Sequence, residues 1–189
     1  MRSARLLVLV AAAAPAACAA RDDSTTDAGA QFVAFPSDFS AYESWESFDL
    51  GGALSDAQAD PDAGDGGCVA HDPNAPRVAF LNERPAPGAS QFPVGTMLVK
   101  EIHRGQTRAD WQVFAMVKRG GGFNPSACTG WEWFELDVTA TPAIIWRGAA
   151  PPTGEGYAAC GVDCNGCHAG GQANDCVLAP QLSLSVLAK

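Results

Sequence analysis

From Arg77 the apolar and polar positions fall into four short segments that read as a β-meander. "RVAFLN" is a short candidate strand. "TMLVKEIHR" (Thr96–Arg104) sets Leu98, Lys100 and Ile102 on one face and Met97, Val99 and Glu101 on the other. "DWQVFAMVKR" (Asp110–Arg119) places Phe114 and Met116 on one face and Trp111, Val113 and Val117 on the other. "GWEWFELDV" (Gly130–Val138) is an aromatic-rich strand. Strands this close in sequence predict an antiparallel meander. The loop "GQTRA" joins the second and third as a hairpin. A register symmetric about Thr107 sets Lys100 opposite Phe114, with both side chains on one face, directed into one pocket. Upstream, Phe35, Phe39, Tyr42 and Trp45 recur every three to four residues, and Ser40 with Glu43 has capping-box spacing. That pattern predicts an amphipathic helix over Ser37–Phe48. The end of the chain, "APQLSLSVLAK", reads as one or two helical turns. The fold class is therefore α+β: a mainly antiparallel sheet, a few short helices and a loop-rich C-terminal segment.

The N-terminus breaks this pattern. Arg2 and Arg5 precede an apolar run from Leu6 to Ala14, followed by small residues. The run is too short to span a bilayer and has the layout of a secretory leader. "APAAC" before Cys18 resembles a lipoprotein processing site, although Pro15 stands where Leu is usual. Residues 1–18 are read as the leader, with Cys18 lipidated. Residues 19–34 are an acidic tether, and 35–189 the folded domain, interrupted by an acidic low-complexity insertion over 51–67. Asp60, Asp62 and Asp65 in that insertion do not fit a calcium loop, whose fifth and twelfth positions would be Gly64 and His71. The expected location is the bacterial periplasm or cell surface, held by lipid.

Charge narrows the partners. The chain carries a formal net charge of −9. Nucleic acid and anionic lipid both call for clustered Lys and Arg, so neither is an expected partner.

Cysteine adds candidate chemistry. Four of the seven cysteines fall within Cys160–Cys176, and "CNGCH" sets His168 directly after Cys167. The C-x-x-C-H spacing reads as a covalent haem c site. Cys164 and Cys167 would reach the two vinyl groups, His168 would be the axial iron ligand, and Asn165-Gly166 would let the loop turn tightly. Zinc lacks a second spaced pair of ligands. Disulfide staples alone leave His168 unexplained. Taking Cys164 and Cys167 for haem leaves Cys68, Cys128, Cys160 and Cys176, which allow three connectivities. Cys160–Cys176 and Cys68–Cys128 are the favoured pairs.

These motifs together resemble the cytochrome P-460 family, which includes the cytochromes c′-beta. The resemblance runs through "FPVGTMLVKE", "FAMVK", "GWEWFELD", the C-x-x-C-H and "NDCVL". It implies a mainly antiparallel, often dimeric haem protein with an open distal iron position. Lys100 falls on the position cross-linked to the porphyrin in hydroxylamine-oxidising members. Phe114 falls where those members have a pocket carboxylate, which argues against proton shuttling there. The leading expectation is thus an exported monohaem protein that binds or redox-processes a small nitrogen species, above all nitric oxide. Three others stay open: a hydroxylamine-oxidising enzyme, a haem electron carrier with Met116 bound and an electron-transfer partner, and a non-haem, disulfide-stapled surface domain. Asp175 is expected to hydrogen-bond structurally, Trp131 and Trp133 to be wall or core, and His71 and His103 to be exposed.

Overall fold

The computed structural model describes residues 29–51, 75–150 and 163–189. The leader, Cys18, most of the tether and the insertion lie outside the described residues, as do Cys68, His71 and Cys160.

One six-stranded antiparallel sheet organises the rest, with neighbours in sequence order from β1 to β6. The strands are β1 (Glu46–Gly51), β2 (Arg77–Leu81), β3 (Met97–Ile102), β4 (Gln112–Lys118), β5 (Trp131–Asp137) and β6 (Ala143–Gly148). The predicted register between β3 and β4 holds, with Lys100 paired to Phe114. The connection between them spans residues 103–111 and contains a 3₁₀ turn at Arg108–Asp110, so it is longer than the predicted hairpin loop.

The predicted helix over Ser37–Phe48 does not form. Two single 3₁₀ turns, Pro36–Phe39 and Tyr42–Ser44, lead straight into β1, which takes Phe48. The serines explain the change. Ser40 Oγ donates to the Ser37 carbonyl and Ser44 Oγ to the Ala41 carbonyl, each at 2.7 Å, closing the turns locally. Phe39 and Tyr42 are buried as expected, but Phe35 is 61% exposed.

Alternation then builds two cores. Val99, Val113, Ala115, Val117, Phe134 and Leu136 form one face with Phe39, Tyr42 and Ala34. The end of the expected tether thus belongs to the fold: Phe32 N–H donates to the Arg119 carbonyl, and Arg147 holds the Ala34 carbonyl. The opposite face carries Leu98, Met116, Trp131, Trp133 and Trp146. Cys176, Val177, Leu182, Leu184 and Leu187 of the C-terminal segment cover that face. The segment is a run of short helical turns, α1 (Cys164–His168), 3₁₀ turns at Ala169–Asn174 and Pro180–Leu182, and α2 (Leu184–Leu187). The described residues thus show no distinct loop-rich haem-binding region there.

Three buried charges are individually matched. Glu132 accepts from Arg147 in a two-pronged pair at 2.7 Å and 2.7 Å. Glu101 accepts from the Tyr42 hydroxyl at 2.5 Å and meets His103 at 2.8 Å. Burial, and then the bond to Glu101, push the Tyr42 phenol above its ordinary range. His103 is therefore not the exposed residue predicted: its ring stacks on Trp111 with centroids 3.8 Å apart. Lys118 and Asp175 form the third pair, at 2.6 Å.

Candidate functional site

The covered face of the sheet carries one unusual row. Pairing across five strands aligns Ala79, Lys100, Phe114, Glu135 and Trp146. β3 is a central strand, so Lys100 is no edge lysine reaching freely to solvent. Burial pushes its ammonium pKa below the usual lysine range, and the buried Arg77 nearby adds to that effect. The Cys167 and Cys164 side chains oppose it. The row and α1 thus lie on the same covered face, with Cys164 packed against its core.

Asn165 fixes α1 to the sheet. Its amide and that of Asn124 bond reciprocally at 2.7 Å and 2.9 Å. Its Oδ1 also accepts from Trp133 Nε1 at 3.0 Å, and its Nδ2 donates to the Ala149 carbonyl at 2.8 Å. The expected role for Asn165, a small residue permitting a tight turn, was too modest: it is the polar anchor of the segment. Asp163 caps the helix by accepting from Gly166 N–H at 2.5 Å.

Cys164 and Cys167 are thiols, the first half-buried and the second exposed. Burial pushes the Cys164 thiol up to about 12, and the neighbouring Asp163 carboxylate adds to the shift. His168 lies against Trp133, with ring centroids 4.6 Å apart. Its Nδ1 donates to the Cys176 carbonyl at 2.7 Å, because a carbonyl only accepts. Burial holds its pKa down to about 4, so the ring is neutral at pH 7 and Nε2 remains an acceptor.

The disulfide differs from both predicted pairs. Cys128 bonds to Cys176, with Cα atoms 5.8 Å apart. The predicted Cys160–Cys176 and Cys68–Cys128 bridges are thereby excluded. Spacing favoured a local clamp around the cysteine cluster. Packing decided otherwise, since both Cys128 and Cys176 belong to the core of the covered face. Next to this bridge, Asp175 accepts from Lys118 Nζ at 2.6 Å and from Phe92 N–H at 2.9 Å, the structural role expected of it. Met116 is a buried core residue of the same face.

Sequence reasoning missed Glu135 and Trp146 as members of the row, and Arg77 as the buried cation near Lys100. For Glu135 the signal is the alternation of β5, which sets it opposite Phe114, one strand beyond the β3–β4 hairpin. A separate shallow depression of about 250 Å³ lies between Arg108–Val113 and Glu135–Thr139, and Lys100, Phe114, Cys164, Cys167 and His168 take no part in it.

Among the described residues, no three His, Cys, Asp or Glu side chains are grouped to hold a metal ion. Among known proteins, no family, no curated protein and no solved structure matches the chain. The resemblance to cytochrome P-460 is therefore corrected. The readings that rested on it fall too: haem c on Cys164 and Cys167, iron ligation by His168 and a Lys100–porphyrin cross-link. So do nitric oxide or hydroxylamine chemistry and electron transfer through haem. The residues had been assembled around a group that short motifs suggested and that the structure and the comparisons do not support.

Proposed function

We propose that this chain is a non-haem, disulfide-stapled binding domain displayed outside the cytoplasm. The observation that carries this reading is the Cys128–Cys176 bridge, buried beside the Lys118–Asp175 pair. It ties the turn before β5 to the segment covering the sheet. Disulfides persist in oxidising compartments, which agrees with the secretory character of residues 1–18 and with Cys18 as a lipid anchor. The binding surface in this reading is the aromatic row under α1. It combines apolar walls with a few polar groups, the usual make-up of a ligand site. The acidic balance, at −9, continues to disfavour nucleic acid as a partner.

The test uses the full chain purified from an exporting host equipped for cofactor maturation. Peptide mapping without reductant should recover Cys128 joined to Cys176, and lipid labelling should mark Cys18. Absorption should be confined to the ultraviolet band of the aromatic residues. A visible band that survives denaturation, with its chromophore on Cys164 and Cys167, would overturn the reading.

A further inference from the structure

Two thiols stand on one turn of helix in a chain whose other described cysteines are oxidised. Cys164 and Cys167 are three residues apart on α1. Helix geometry sets such Cα atoms about 5 Å apart, within the range of roughly 4.4–6.8 Å that a disulfide spans. Access to the two sulfurs is unequal. Cys167 is exposed, whereas Cys164 packs against the core of the covered face. The Asn165 contacts to Asn124, Trp133 and Ala149 hold the turn between them in place.

We infer that Cys164 and Cys167 form a thiol–disulfide exchange pair, with Cys167 as the attacking sulfur, Cys164 as the resolving one, and a protein or peptide disulfide as the substrate class. The inference rests on the non-haem reading, because it requires both sulfurs to be unmodified. Cys167 loses its proton to solvent and its thiolate attacks one sulfur of the substrate disulfide. The substrate S–S bond breaks, a Cys167–substrate bond forms, and the first substrate sulfur leaves as a thiolate. Cys164, losing its proton to solvent, then attacks the Cys167 sulfur. The mixed disulfide breaks, the Cys164–Cys167 bond forms, and the second substrate sulfur leaves. The two substrate thiolates take up two protons. The substrate is reduced by two electrons and the pair is oxidised by two. The order is set by exposure: the accessible sulfur meets the substrate first, and the half-buried sulfur is reached more readily by its neighbour than from solvent.

Oxidised glutathione is the probe. The full chain, exported and purified as above, is equilibrated in glutathione redox buffers, and each cysteine is located by alkylation and peptide mapping. Cys164 and Cys167 should open and close together in a single two-electron step while Cys128–Cys176 stays closed. Cys164→Ser should trap glutathione on Cys167. Cys167→Ser should trap roughly tenfold less on Cys164, as attack depends on access. Comparable trapping in the two variants overturns the inference, as does persistence of both thiols under fully oxidising buffer. A colourless chain that fails these tests refutes the exchange pair alone. A covalent visible chromophore on the same sulfurs refutes the non-haem reading as well.

Discussion

At the scale of single residues, the most exacting position is Asp175. It lies in the left-handed region at φ 51° and is followed by Cys176 at φ 66°. Its carboxylate satisfies both Lys118 and the Phe92 N–H. Lys118→Met would leave that carboxylate buried without its cation, so a loss of roughly 3–5 kcal/mol is expected in urea unfolding. The double variant Lys118→Met/Asp175→Asn should recover part of that loss. Asn165→Ala should cost about 1–3 kcal/mol, because it strands the Trp133 indole N–H and the Asn124 amide. Tryptophan emission would report the change at Trp133 directly. His168 supplies a pH dependence. Its ordinary value of 6.5 falls to about 4 on folding. Between those values the unfolded chain binds more protons than the folded one, so stability rises with pH across this window. It is complete above about 6.5 and declines as pH falls toward 4. Urea midpoints measured across the window should show this slope in the native chain and a weaker one in His168→Gln.

Among the elements, the strands were the legible part. Alternation identified β2, β3, β4 and β5 and set the Lys100–Phe114 register, because each of those strands presents one face to each core. The two outer strands were not legible. β1 hid inside an apparent helical period, since Tyr42, Trp45 and Phe48 sit three apart while belonging to a turn, a junction and a strand. β6, "AIIWRG", has contiguous apolar residues and no alternation, and at the sheet edge Ile145 remains 58% exposed. The candidate site was half legible. Register placed Lys100 opposite Phe114, but the cover over that face depends on packing between segments distant in sequence. Gly171 shows why. A Cβ there would lie 3.1 Å from the Cys176 carbonyl carbon and 3.3 Å from that of Val177, so the 3₁₀ turn and the turn that follows it touch backbone to backbone. Gly171→Ala should therefore destabilise the chain by roughly 1–3 kcal/mol through crowding. Hydrogen exchange should locate the added opening in residues 163–189.

For the whole molecule, the Cys128–Cys176 bridge spans 48 residues. The chain-entropy account gives such a loop about 4 kcal/mol, so Cys128→Ser/Cys176→Ser should lower stability by about that amount. The same variant should expose the Trp131 and Trp133 face to an apolar dye if the C-terminal cover loosens with it. The strand order carries a further consequence, in the time domain. Every strand pairs with its neighbour in sequence, so the sheet assembles by short-range closures, which are fast. The cover instead packs on the sheet through contacts between segments distant in sequence, which close more slowly. Cys128 must therefore wait, on a sheet already formed, for the cover to carry Cys176 to it. Closing this bridge thus seals the aromatic face only after the sheet is built, and until then that face lies open to its surroundings.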